Sequence, residues 1–290
     1  MFRKNNSKNL FDRYGDDFIK DDIWERRNRM SKMLDARKTP KRFESSFHKP
    51  LESNLPKQRS YKLSNSIHFI YSNYGVILTG DQRDIALKEL IKANPHLNIK
   101  MKLNGELSAK TRKGQKLDPE EEKIYLAIKD HTVITTIIAT GNKLTQFGDP
   151  NVGNFSGNYT DKKGITHATQ EINAEALSKW DKLSGNPGKT TNHEVSEAYY
   201  GAKIAQQEGI LKVDHATMAD ANDPASVYYK AHNAEATKQP AGFERKMYDI
   251  NNNRVENPAD YSVPCNVTKI DYINTSSKNI GETFHTIENP

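Results

Sequence analysis

The sequence has almost no cysteine. Cys265 is the only one among 290 residues. No intramolecular disulfide can form, and no zinc site can be built on thiolates. A metal would have to be held by His, Asp or Glu. Long apolar runs are also missing. Hydrophobic residues make up 35% of the chain, below the roughly 45–50% usual for globular chains when Gly is counted. The strongest apolar stretch, Val133–Ala139, is broken by Thr135 and Thr136 and falls far short of the roughly 20 residues of a bilayer span. No membrane-spanning helix is expected. Arg3 and Lys4 are not followed by an apolar segment, so an ordinary secretory leader is not expected either. Gly148–Gly157 offers glycines without the Lys-Ser/Thr of a phosphate-binding loop, and no Gly-x-Ser-x-Gly elbow occurs.

Charge is present but uneven. Residues 1–66 hold 17 Lys/Arg and 9 Asp/Glu, whereas the remainder holds 26 and 28. A basic arm of this kind suits an acidic partner, protein or nucleic acid; a solvated lead-in has the same composition. The arm lacks interleaved aromatics and any nucleic-acid fold signature, so sequence-specific nucleic-acid binding is not expected.

Residues 17–37 read as one amphipathic helix, with Phe18, Ile19, Ile23, Trp24, Met30, Met33 and Leu34 at helical spacing. Residues 38–66 contain Pro40, Pro50 and Pro56 and read as a linker. Order returns at Ile67, with a β-rich stretch running to Leu78. The pattern then predicts a helix over 81–94, a hairpin over 97–111 turning at Asn104-Gly105, a helix over 119–129 and a strong strand over 132–139. Residues 141–164 read as a long loop or loose hairpin. Helices are expected over 173–180, 191–208 and 224–237, the second ended by Gly209. From Tyr248 onward Asn and Ser dominate, with strand-like pieces such as Val267–Ile273. Three parts follow: a basic arm over 1–66, an α+β domain over 67–247, and a C-terminal docking tail over 248–290.

The chemistry concentrates in Thr191-Asn-His-Glu-Val-Ser-Glu-Ala-Tyr-Tyr-Gly-Ala. His193 and Glu197 are four residues apart, so a helix places them on one face, one turn apart. This is how one helix offers two ligands to a single metal ion. Glu194 follows the first ligand, where a zinc hydrolase carries its general base. The familiar pattern is His-Glu-x-x-His, and here Glu197 stands in the second ligand position. An alternative needs no chemistry: Thr191 and Glu194 fit a Thr-x-x-Glu capping box at a helix start. The direction of the Glu194 carboxylate, into a cleft or back onto Thr191, decides between them. His232 is the first choice for a third ligand, followed by Glu171 and His131; His167 and His215 lie in loop-like surroundings. Tyr199 or Tyr200 could steady an oxyanion. Cys265 has no evident paired base.

Five segments occur in order: Leu78-Thr-Gly-Asp, Asp130-His-Thr, Gln170-Glu-Ile-Asn, His193-Glu-Val-Ser-Glu-Ala-Tyr-Tyr-Gly-Ala and Val227-Tyr-Tyr-Lys-Ala-His-Asn-Ala-Glu-Ala-Thr. Over about 67–247 the chain resembles the zincin-like, metallopeptidase-related domains found at the C-terminal ends of RHS-repeat proteins of Bacteroidota and in phages of those bacteria. In that group the helix typically reads His-Glu-Val-Thr-Glu and an Ala-His-Asn segment follows. The resemblance therefore implies His193, Glu197 and His232 as ligands of a Zn2+ ion, and Glu194 as base. It implies an α+β fold in which a small sheet packs on the His-Glu-x-x-Glu helix, flanked by extended segments at both ends. The expected role is a component of a phage virion or secreted particle, docked to neighbouring protein subunits through 1–66 and 248–290. Its place would be the virion or delivered particle, or the bacterial cytoplasm before export. The alternative is an active zinc peptidase or toxin effector acting on a peptide or protein.

Overall fold

The computed structural model describes residues 75–235, 242–256, 263–264 and 266–286. The basic arm, its expected helix and linker, and Cys265 lie outside the described residues. What is described is an α+β fold. Among the described residues no helix is long and apolar enough to cross a membrane.

The chain opens with β1 (Val76–Thr79) and α1 (Arg83–Ala93). A hairpin follows, β2 (Leu97–Met101) with β3 (Leu107–Thr111), turning as expected at Asn104-Gly105. The hairpin is tied to β1 where the Leu78 N–H donates to Gly105 O at 2.9 Å. Helix α2 (Pro119–Lys129) starts on a complete capping box. Asp118 accepts from the amides of Glu120 and Glu121, and Glu121 accepts in return from the Asp118 amide. Pro119 at the first helical position and acidic residues in the first turn add to this start.

β4 (Val133–Ala139) alternates strictly between buried and half-buried residues. That is the pattern of a strand with one face on the core. The main sheet has the order β1-β4-β6-β5-β7, where β5 is Asn154–Thr160, β6 is Thr166–Ile172 and β7 is Lys212–Val213. β1, β4 and β6 run parallel, and β5 returns antiparallel between β6 and β7. β5 lies inside the stretch expected to be a long loop or a loose hairpin. Its sequence, with Asn154, Gly157 and Asn158, carries little strand propensity, and pairing on both sides holds it in place.

Helix α3 (Ala174–Ser184) is capped by Asn173, whose side chain accepts from the Ala176 amide at 3.0 Å. Helix α4 (Lys189–Glu208) is the centre of the packing. It lies on β4, β5 and β6 and is touched by α1, α2 and α3. A helix so enclosed is usually apolar all round. This one buries Thr190, Thr191, Asn192, His193, Glu194, Ser196 and Glu197. A short helix α5 (Met218–Asn222) comes next, and the expected helix over 224–237 is present as α6 (Val227–Lys230) continued by a π-helical turn Ala231–Glu235.

A second, antiparallel sheet has the order β11-β10-β8-β9, built from β8 (Phe243–Tyr248), β9 (Arg254–Val255), β10 (Lys269–Asn274) and β11 (Ile280–His285). The boundary expected at 248 falls on the last residue of β8, and the segment read as a tail supplies three of the four strands. Trp180 of α3 anchors this sheet. Its ring stacks on Tyr272 at 3.9 Å and meets Phe284 edge-on at 6.0 Å. Trp180→Ala should lower stability by about 3–5 kcal/mol in urea unfolding, the cost of an unfilled aromatic core site. A loss below about 1 kcal/mol would show that the second sheet is not held by this contact.

Candidate metal centre

The first turns of α4 set the site. The helix begins at Lys189, with Gly188 before it at φ +79°. A Cβ at Gly188 would sit 2.0 Å from Glu89 O, so only glycine fits this entry. Thr191 is thus already inside the helix, and it is not a cap. The capping-box reading of Thr191 and Glu194 is overturned, because the helix has no side-chain cap and starts two residues earlier. Its N-terminus is held from outside by Asp181 of α3. That carboxylate accepts from the Thr190 amide at 3.1 Å and from Thr190 Oγ1 at 2.5 Å.

His193 and Glu197 point into the interior between α4 and the π-helical turn. There His232 meets them. His193 Nε2 lies 3.2 Å from His232 Nδ1 and 3.5 Å from Glu197 Oε2. His232 Nδ1 lies 2.5 Å from the same Glu197 oxygen. The three residues offer ligand atoms all within 4.8 Å of one another and could hold a metal ion. A tetrahedral first-row ion with ligands at about 2.1 Å keeps its donors about 3.4 Å apart. Two of the three separations match that spacing. The third is a direct hydrogen bond, which an ion between the groups would replace.

Burial sharpens the chemistry. His193 and Glu197 are 2% exposed. Desolvation pushes the His232 imidazole below its ordinary value, against the pull of Glu197. This favours the neutral ring that ligates metals. Desolvation also works to raise Glu197, but hydrogen bonds from His193 and His232 hold its carboxyl low. Glu194 is pushed up, first by burial and then by the charge of Glu197. Two carboxylates three residues apart on one buried face repel each other. A cation among them would offset both.

Glu194 turns into the cavity. Gln170 of β6 spans the pair: its Nε2 donates to Glu194 Oε2 and, at 3.1 Å, to Glu197 Oε1. Gly153, at φ +109°, lets the backbone come down on the Glu194 carboxylate, where an added Cβ would lie 2.3 Å from Oε1. The cavity holds about 20 Å³ and is lined by Glu194, Glu197 and His232 with Thr190, Tyr228, Trp180, Tyr272 and Arg245. That is room for about one water molecule or one ion.

The other sequence candidates lie elsewhere. Glu171 sits on the opposite face of β6 from Gln170 and accepts from Gln146 and Ser156. His131 is exposed. Asp130 does reach α4, but farther along, accepting from Tyr199 OH at 2.9 Å and pairing with Lys203 at 3.0 Å. This occupies the Tyr199 hydroxyl, which leaves it no oxyanion to serve. His167 stacks on Tyr159 and His215 on Phe147. Neither belongs to the trio. Of the groups not assigned from sequence, Gln170 had a quoted motif but no role. Arg245 had no local signal, because β8 brings it in from the second sheet.

The chain matches no protein-family model, no curated protein and no solved structure.

The clamp on α4 carries a pH signature. Burial, with the nearby Glu89 adding to it, raises Asp181 from about 3.8 to about 6, against the hydrogen bonds from Thr190. A carboxyl raised in the folded state contributes stability that is complete below its unfolded pKa and is lost as pH rises through its folded pKa. Stability should therefore fall between pH 4 and 6 by up to about 3 kcal/mol. Asp181→Asn should flatten that slope. Urea midpoints of both proteins from pH 4 to 7 check this, and parallel profiles would refute it.

Proposed function

We propose that the chain is a zinc-dependent hydrolase of the metallopeptidase kind. The supporting observation is the donor set itself: among the described residues three protein ligands rather than four, two buried and one half-buried, beside a water-sized cavity bordered by a carboxylate that is not a cap. Structural zinc sites are closed by four protein ligands, while catalytic sites use three and keep one position open. Two imidazoles and a carboxylate suit zinc.

His193, Glu197 and His232 would hold the ion. When bound, zinc acidifies water and polarises a carbonyl. Glu194 would take the proton from the attacking water and pass it to the leaving amine. Gln170 would fix both carboxylates by its paired contacts. Gly153 would keep the Glu194 carboxylate turned into the cavity. The resemblance to phage and RHS-associated domains supports a peptide or protein substrate and carriage within a delivered particle.

A second reading has its own support. The cavity admits one ion or one water but no peptide. In that reading the metal centre is a structural element of a particle subunit that docks neighbouring proteins.

Protein purified without chelators should carry about one zinc per chain, and His193→Ala should carry none. Metal analysis of both decides the ligand assignment, and a metal-free wild type would defeat it. Glu194→Gln should keep its zinc and cleave peptides at least about 100-fold more slowly, the loss of a general base. Zinc-loaded wild type that cleaves nothing in a peptide library would favour the structural reading.

A further inference from the structure

One hairpin of the body carries a local excess of positive charge. Residues 96–116 contain six Lys/Arg and one carboxylate, although residues 67–290 as a whole hold 26 and 28. The carboxylate, Glu106, is buried and paired with Lys102 at 2.7 Å. Lys100, Lys110, Arg112, Lys113 and Lys116 are exposed, and among the described residues none has a carboxylate oxygen within 4.0 Å.

The hairpin has two different faces. Leu97, Ile99, Leu107 and Ala109 are buried against the body. The outward face is set by register: Asn98 lies opposite Lys110, and Lys100 lies opposite Ser108. Cations and small hydrogen-bonding side chains therefore alternate across the two strands. Same-face positions along a strand are about 7 Å apart, and neighbouring strands about 5 Å. The result is a two-stranded face that presents Lys100 and Lys110 with polar groups between them.

We propose that this hairpin face binds a nucleic-acid duplex through its phosphates, without reading sequence. Lysines and small polar side chains are what phosphate oxygens accept from. The face carries no aromatic ring, so nothing stacks on bases, as single-strand binders require. An acidic protein would need apolar anchors at the centre of the contact, and the face has none. A lipid surface would need buried apolar area as well as charge. Only Leu103, 99% exposed at the turn, is available for that. The inference is independent of the metal centre.

The test uses the full chain and a 30-base-pair duplex of arbitrary sequence, with binding followed by fluorescence anisotropy from 50 to 200 mM salt. Lys100→Glu with Lys110→Glu is compared with Lys162→Glu and Lys163→Glu, an equal charge change in the exposed β5–β6 turn. Phosphatidylserine vesicles serve as a second probe. Wild type should bind with a micromolar Kd and equally to unrelated sequences. The hairpin pair should bind at least about ten-fold more weakly, with a salt slope lower by about 2. The control pair should bind within about two-fold of wild type. No binding by wild type, equal loss in both pairs, or no loss in the hairpin pair would overturn the proposal. So would a hairpin-dependent loss seen with vesicles and not with the duplex.

Discussion

The structure turns on how two carboxylates can be buried one helical turn apart. Glu194 and Glu197 lie on the inner face of α4, within the packing of the main sheet and three other helices. An isolated ionised carboxylate in such a place costs several kcal/mol after all relaxation. The pair is tolerable only because the surroundings answer it. Two imidazoles hydrogen-bond to Glu197, and the Gln170 amide bridges both groups. Apart from His193 on α4 itself, the neighbours that answer come from different parts of the fold. Gln170 is on β6, His232 on the π-helical turn, and Arg245 on the second sheet.

This requirement accounts for oddities that packing alone would not produce. β6 places Gln170 at an inward position where a core strand would carry an aliphatic residue. Gly153 gives up a side chain so that backbone can reach the Glu194 carboxylate. A π-helical turn interrupts the chain after α6 at the point where His232 must face α4. π-turns of this kind concentrate at functional sites, because the extra residue re-aims one side chain. Such local departures from good packing are where function is usually found.

The segments the sequence made legible are those governed by local rules. The helix over 119–129 was legible from Pro119 onward, Asn104-Gly105 closed the hairpin, and Gly209 ended α4. β4 showed its alternation directly. β5 and β6 were not legible, because their strand state comes from neighbours and their inner positions serve the site. The strand-like piece Val267–Ile273 became β10, while β9 and β11 were hidden by Asn and Ser, many of which form the turns between the strands.

Spacing in the sequence alone placed His193, Glu194 and Glu197 on one helix, since a four-residue interval on a helix is fixed geometry. The single cysteine likewise excluded a thiolate site. Sequence did not decide between a cap and a cleft for Glu194, or among three candidates for the third ligand. Tertiary structure set Glu194 against the cavity, and it brought His232, rather than Glu171 or His131, beside His193 and Glu197. The entry at Gly188 moved the helix start past Thr191. Strand alternation turned Glu171 away from the site while it turned Gln170 in. A chain segment some forty residues downstream folded back to bring His232 to 3.2 Å from His193. Contacts between distant segments depend on how whole elements pack, and no local interval encodes that.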